Sequence, residues 1–193
     1  VESEVTSGHQ VYWVCPLVEE SETLDIASVV SKSEELRLIF PDLTVGLIHG
    51  RMKWSEKDAI MQEFIAGNID ILTSTSVIEV GVDNPNATII VIEGSERFWL
   101  SQLHQFRGRV GRGQDQSYCY LLTSEDRKKT ERLKAMEETN DGFILSEIDL
   151  ELRWPGEVYG VRQSGVPDFK IADITDLEKV SDIREAIITY LTK

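Results

Sequence analysis

The chain has 193 residues, of which 41% are hydrophobic, so it can bury a sizeable core and is not an intrinsically disordered protein. Two cysteines, Cys15 and Cys119, are too few for a disulfide scaffold and lie in apolar runs, so we expect buried thiols and a reducing, cytoplasmic compartment. No apolar run approaches the ~20 residues of a membrane span, and the net charge of −14 disfavours a uniformly basic nucleic-acid-binding surface.

Short apolar runs alternate along the chain with segments whose apolar residues recur at helical spacing. In chain order, the predicted elements are a linker at 1–8, a strand at 11–17, a helix at 23–40, a strand at 43–49, a helix at 55–65, strands at 69–73 and 88–93, a helix at 101–107, a strand at 117–123 and a helix at 124–139. Ser55 and Ser124 are the expected N-caps of two helices, and Gly67 is an expected C-cap. This alternation predicts an α/β fold with a parallel sheet and helices on both faces.

The pattern changes after residue 140. A helical segment at 143–152 is followed by a stretch punctuated by glycine and proline, and then by a predicted helix at 176–191. We therefore divide the chain into a linker at 1–8, an α/β domain at 9–140 and a mostly helical appendage at 141–193. The linker suggests excision from a larger protein.

Several complete catalytic motifs are missing from the sequence. There is no phosphate-binding loop of the form GxxxxGK followed by Ser or Thr, and no GxGxxG follows a strand. The three histidines, at positions 9, 49 and 104, are not spaced as metal ligands. We therefore expect no metal site and no self-sufficient active site.

Two loops that follow predicted strands carry candidate anion-binding groups. Gly50 and Arg51 lie in a strand-to-helix turn, where glycine permits close backbone approach and the helix N-terminus offers N–H groups to an anion. Thr73 begins a run of four hydroxyl residues that could bond phosphate oxygens, and Gly81 and Asp83 could approach a sugar or a metal-bound water. An ordinary turn is the structural alternative for each loop.

Four arginines and no acid occur between residues 97 and 112. Arg109 and Arg112 are three residues apart, so a helix would place them on one face, where two guanidinium groups suit a phosphate. A solvated arginine-rich turn is the alternative. A further segment at 141–165 has less obvious chemistry. A rigid loop packed on the core is the structural alternative for this segment.

Together, these segments resemble the second RecA-like motor domain of superfamily 2 helicases, and most of all that of the RecG family. Residues 12–17 resemble motif IV, residues 71–88 motif V and residues 102–113 motif VI. Residues 141–165 resemble the translocation motif that RecG shares with Mfd translocases. The resemblance covers about residues 8–185. Motifs V and VI are specific to the superfamily, and residues 141–165 narrow the resemblance to the RecG and Mfd group.

The resemblance implies a helicase that remodels branched DNA, such as replication forks and Holliday junctions, in DNA repair and recombination. It implies ATP and Mg²⁺ as cofactors, bound mainly by a first motor domain that carries the Walker loop. The implied partners are branched double-stranded DNA and the N-terminal motor and wedge domains of the same chain, with no membrane partner. Since the Walker loop lies outside this sequence, we expect the isolated chain to be inactive.

The resemblance also implies roles for individual residues. Arg109 and Arg112 match catalytic arginines that reach the triphosphate, and arginine fingers of this kind are worth about 10³–10⁵ in rate. The remaining matches are Gly81 and Asp83 for nucleotide binding, Gly50, Arg51, Thr73 and Ser74 for the DNA backbone, and Arg132, Arg153 and Gln163 for coupling hydrolysis to translocation.

The sequence departs from the family pattern at three positions. Trp99 and Trp154 stand where RecG sequences usually carry glycine, and Asn84 stands where an aliphatic residue is usual. Two other functions remain open. One is an Mfd-type double-stranded DNA translocase domain, and the other is a non-catalytic interaction module, which the acidic charge and the missing Walker loop support. The intact arginines and hydroxyl residues favour the motor domain over this module.

Overall fold

The computed structural model describes residues 1–16, 22–75, 84–124 and 130–152. The strands in these ranges are β1 (Gln10–Val14), β2 (Val45–Ile48), β3 (Ile71–Ser74), β4 (Ala87–Ile92) and β5 (Tyr118–Leu121). The helices are α1 (Glu2–Thr6), α2 (Glu22–Ile39), α3 (Trp54–Ile65), α4 (Leu100–Arg107), α5 (Glu131–Glu138) and α6 (Gly142–Leu152), with a 3₁₀ turn at Ser95–Arg97. No helix in the described ranges is long and apolar enough to cross a membrane.

The five strands form one sheet in the order β2-β3-β1-β4-β5, and every neighbouring pair is parallel. Parallel strands need long crossover connections, which place helices on both faces of the sheet and leave the strands buried. All six residues of β4 are buried, as this arrangement requires. The predicted α/β fold is therefore confirmed.

Two hydrophobic cores lie on the two faces of the sheet, because successive strand residues point to opposite sides. Tyr12 belongs to the larger core, where its ring lies 5.0 Å from that of Phe64 on α3, and this core also contains apolar side chains of α4, α5 and α6. Val11, its neighbour in β1, belongs to the smaller core with Val5 of α1 and Leu36 of α2. Helix α4 is thus held between the sheet and the α5–α6 pair.

The structure differs from the sequence prediction mainly at the ends of elements. Residues 2–6, expected as part of a linker, form α1, which buries Val5. The predicted N-cap at Ser55 is wrong, because α3 begins one residue earlier and the Lys53 N–H donates to the Glu56 carboxylate at 2.9 Å. Gly67 follows α3 with φ of +81°, which confirms it as the residue that ends this helix.

Helix α5 begins later than the sequence indicated. Its N-cap is Thr130, whose hydroxyl accepts a hydrogen bond from the Leu133 N–H, and not Ser124. The Ser124 hydroxyl instead donates to the Glu96 carboxylate at 2.6 Å. The predicted helix at 176–191 lies outside the described residues.

Candidate functional site

The turn after β2 and the end of β3 lie side by side at the carboxyl end of the sheet. Ile48 pairs with Ser74 in the parallel register, so Gly50 and Arg51 emerge beyond the same edge as Ser74. Both residues of the turn are exposed. The strand order therefore brings together the two loops that the sequence predicted to contact a DNA backbone.

The hydroxyl groups at the end of β3 differ in their hydrogen bonding. Thr73 is fully buried and donates to the Gly46 carbonyl of β2 at 2.7 Å, so this side chain ties two strands together. The hydroxyls of Ser74 and Thr75 are buried and have no hydrogen-bond partner among the described residues. Since buried polar groups are normally paired, unused hydroxyls at a strand end are candidates for contact with a ligand. The predicted role of Thr73 would require its bond to Gly46 to open.

A group of cations surrounds the turn that contains Gly50. Arg51 and Lys53 are exposed, and Lys57, one turn into α3, donates from Nζ to the Gly50 carbonyl at 3.0 Å. This bond holds the turn against the first turn of α3, where unpaired backbone N–H groups favour an anion. Sequence reasoning missed Lys57, although its spacing of four residues from Lys53 is a helical signal.

Arg109 and Arg112 lie in a loop that follows α4. The helix ends at Arg107 with Gly108 as its C-cap, and Gly111 has a φ of +80°, so the helical arrangement that would put both arginines on one face is not formed. Arg109 is half-buried and Arg112 is exposed, with its Nε donating to the Gly108 carbonyl at 3.0 Å. The end of α4 thus sets the position of this arginine loop, residues 109–113.

The arginine loop lies at the amino end of the sheet, opposite to Gly50 and Ser74. A Cβ atom placed on Gly113 would be 2.8 Å from the Pro85 carbonyl oxygen, and Pro85 comes just before β4. Gly81 and Asp83, the other predicted nucleotide-binding residues, lie outside the described residues.

The donor set of the arginine loop fits the phosphates of a nucleotide and not a metal ion. Guanidinium groups donate hydrogen bonds and accept none, so two of them on one short loop suit a polyanion such as a triphosphate. In the described ranges, no group of three His, Cys, Asp or Glu side chains could hold a metal ion. The described residues therefore offer groups for ATP but no ligand set for Mg²⁺.

Arg107, in the last turn of α4, caps the C-terminus of α5. Its Nη1 donates to the Met136 and Thr139 carbonyls at 2.8 and 2.9 Å, and its Nη2 lies 3.0 Å from His104 Nδ1. Burial lowers the pKa of the Arg107 guanidinium, whose ordinary value is so high that it stays charged. A cation at this position also interacts favourably with the negative end of the α5 dipole.

The beginning of α4 is held by α5 and α6. Asp149 of α6 is buried and its Oδ1 accepts a hydrogen bond from the Leu100 N–H at 3.3 Å. The guanidinium carbon of Arg132 lies 4.3 Å from the ring centroid of Trp99, the N-cap of α4. Of the residues predicted to couple hydrolysis to translocation, Arg132 is therefore placed against α4, whereas Arg153 and Gln163 lie outside the described residues, as does Trp154.

Two protein-family models together match most of the chain. The family model for the helicase conserved C-terminal domain matches residues 1–114, and the model for the C-terminal part of domain 3 of the ATP-dependent DNA helicase RecG matches residues 139–190. The chain is 50% identical over its whole length to a Synechocystis protein named ATP-dependent DNA helicase RecG, and covers 24% of it. It is 51% identical over 88% of its length to the Escherichia coli K12 protein of the same name, and covers 25% of that one. The chain thus spans about a quarter of the length of these curated relatives.

Solved structures give the same result. The structure of RecG bound to a three-way DNA junction matches 82% of this chain with a TM-score of 0.68 and 45% identity, and the match covers 20% of that chain. Domain 2 of a DEAD-box helicase bound to an RNA duplex matches 77% of this chain, and the match covers 65% of that chain, with a TM-score of 0.50 and 19% identity. The second likeness supports the fold alone.

Proposed function

We propose that this chain, which belongs to the helicase conserved C-terminal domain family and within it to RecG, is the second motor domain of an ATP-dependent DNA helicase that acts on branched DNA. The observation that carries the proposal is the arginine loop, which follows a helix that is fixed at both of its ends. The likeness to RecG bound to a three-way junction supports a branched DNA substrate. Roles in DNA repair and recombination are part of the proposal.

At the amino end of the sheet, Arg109 and Arg112 reach the triphosphate of an ATP that is held mainly by a first motor domain. ATP supplies the phosphoryl group and the free energy of its hydrolysis. The two guanidinium groups orient the phosphates and offset the negative charge that develops during phosphoryl transfer. Gly81 and Asp83 contact the nucleotide sugar and the shell of the metal, and the ligands of Mg²⁺ come mainly from the first domain.

At the carboxyl end, Gly50, Arg51, Thr73 and Ser74 contact the DNA backbone. The exposed turn offers backbone N–H groups and a guanidinium to phosphate oxygens, and Ser74 offers a hydroxyl that has no partner among the described residues. Such contacts position a protein on DNA without reading its sequence. The acidic net charge is compatible with this role, because Arg51, Lys53 and Lys57 lie together at the turn.

The α5–α6 pair couples the two ends of the domain. It holds the first residue of α4 through Asp149 and the last through the α5 carbonyls, so a displacement of the pair would move α4 and the arginine loop with it. Arg132 contributes through its contact with Trp99. Arg153 and Gln163, which lie outside the described residues, take part in the same coupling of hydrolysis to translocation.

The experiment that tests the proposed function replaces the two arginines in the complete motor. Arg109→Ala and Arg112→Ala should each lower kcat for DNA-stimulated ATP hydrolysis by about 10²-fold or more, because arginine fingers act on the transition state. The KM for ATP should change far less. Arg97→Ala is the matched control, since Arg97 is an exposed arginine of the same cationic segment outside the loop.

Two results would contradict the proposal. Unchanged hydrolysis in both arginine variants, with DNA binding retained, would favour a non-catalytic interaction module. Hydrolysis by this chain alone would be equally contrary, because it contains no phosphate-binding GxxxxGK loop.

A further inference from the structure

Three amide side chains meet at the amino end of the sheet and form what we call the amide cluster: Gln10, Asn84 and Asn86. Gln10, at the start of β1, is buried, and its Nε2 donates to the Phe64 carbonyl and, at 2.6 Å, to the Ile69 carbonyl. Its Oε1 accepts from the side-chain amides of Asn84 and Asn86 at 3.0 and 3.1 Å. One side chain thus joins the end of α3, the segment before β3 and the turn before β4.

The amide cluster fixes the backbone of the turn at residues 84–86. Asn84 is buried, and its Oδ1 accepts from the Asn86 N–H at 3.1 Å. The Asn86 carbonyl accepts from the Gln10 N–H at 3.0 Å, and the Asn86 amide donates to the Gly8 carbonyl at 2.8 Å. The buried amides of Gln10 and Asn84 lose their bonds only at a high desolvation cost, and the exposed Asn86 is tied to Gln10 and Gly8, so the residues on either side of Pro85 are held in place.

Pro85 carries the carbonyl that faces the arginine loop. At Gly113, a Cβ would lie 2.8 Å from this oxygen, which is closer than side-chain carbons approach a backbone atom. The φ of Gly113 is outside the left-handed region, so the backbone conformation does not require glycine here. Glycine is required because a Cβ would clash with the Pro85 carbonyl. A side chain at this position must push the arginine loop away, since the neighbours of Pro85 are fixed.

We propose that the amide cluster positions the arginine loop for ATP hydrolysis, with Gln10, Asn84 and Gly113 as positioning residues. This inference rests on the proposed function of Arg109 and Arg112. The buried Gln10 amide holds the turn through Asn84 and Asn86. The Pro85 carbonyl of this turn faces Gly113, which follows Arg112 directly. The competing interpretation is that the cluster only stabilises the amino end of the sheet.

The first test is Gly113→Ala in the complete motor. A displacement of about 1 Å in catalytic groups can cost about 10²-fold in rate, so we expect a loss of kcat on that order with little change in the KM for ATP or the melting temperature. Gly108→Ala is the matched control, because a Cβ on Gly108 meets nothing nearer than 3.5 Å and its φ is −69°. Wild-type kcat in Gly113→Ala would overturn the inference.

The second test asks whether Gly113 acts through the amide cluster. Asn84→Leu removes the two side-chain bonds of Asn84, to Gln10 and to the Asn86 N–H, so Pro85 can then yield more readily to a side chain at position 113. The inference predicts that Gly113→Ala costs much less kcat in the Asn84→Leu background than in the wild type, which a double-mutant cycle measures.

Additive losses in the cycle would refute the positioning role and favour the purely structural one. Parallel falls in kcat and melting temperature in Gly113→Ala would have the same meaning. A motor that hydrolyses no ATP before any substitution would overturn the proposed function, and the inference with it.

Discussion

Arg107 offers a direct test of how α4 is fixed, because one side chain makes three contacts with defined partners. We expect Arg107→Met to keep the apolar stem but to leave the Met136 and Thr139 carbonyls without their cation. A hydrogen bond to a charged group contributes about 1.5–3 kcal/mol, and water can partly replace the lost partner because the side chain is only half-buried. We therefore expect the free energy of unfolding to fall by about 3 kcal/mol.

Urea denaturation of the chain measures this free energy directly. For a domain of this size, the loss corresponds to a decrease in Tm of about 6–12 °C. Arg107→Lys should recover part of the stability, because a single ammonium can reach one carbonyl but cannot span two as the guanidinium fork does. Arg97→Met is the control, because Arg97 is exposed and its replacement should change the free energy of unfolding little. A loss below about 0.5 kcal/mol for Arg107→Met, typical of surface substitutions, would refute the claim that Arg107 fixes α4 to α5.

Three further predictions concern acid sensitivity, thiol reactivity and one aromatic contact. Burial tends to raise the pKa of the Glu96 carboxyl, but the hydrogen bond from Ser124 helps to outweigh burial, and the pKa is lowered. The stabilisation by ionised Glu96 is therefore complete above the unfolded pKa of ~4.3 and is lost as pH falls through the lower folded pKa. Glu96→Gln should show a smaller loss of urea stability on acidification. Burial raises the pKa of the Cys15 thiol to about 12, so it should react with a disulfide reagent at mildly alkaline pH only after unfolding. Trp99→Gly removes the contact with Arg132 and should lower the free energy of unfolding by about 0.5–1 kcal/mol, measured by denaturation.

The fold could be predicted because its determinants are local. The apolar runs of β1 and β4 are continuous, as strands buried on both faces require, and the helical spacing of 23–40 corresponds to α2. The ends of elements were less predictable, because several neighbouring residues can serve as the cap of a helix. Ser55 is a strong N-cap type, yet the bond from Lys53 to Glu56 starts α3 earlier. In α1, one buried side chain, Val5, is too weak a pattern to detect.

The arrangement of the site depended on contacts between distant parts of the chain. Sequence identified Gly50 and Ser74 as separate candidates, but their common edge follows from the adjacency of β2 and β3, which no local pattern encodes. The amide cluster joins Gln10 to Asn84, 74 residues away, and each residue alone has the composition of an ordinary turn or strand end. In the structure, the buried Asn84 amide has hydrogen-bond partners that an aliphatic side chain could not use.

The positions of the two candidate groups decide how many ligands this domain can hold. Ser74 lies at the carboxyl end of the sheet and the contact between Gly113 and Pro85 at its amino end, with strands of four to six residues between them. At about 3.3 Å per residue, the intervening strands span about 13–20 Å, which is too far for one phosphate to touch both groups. Under the proposed function, the two groups therefore serve two ligands, and a parallel sheet buried on both faces is a stiff spacer between them. The proposed motor requires this separation, because its nucleotide and its DNA would bind independently while a structural element, here α4 with the α5–α6 pair, would relate the two states.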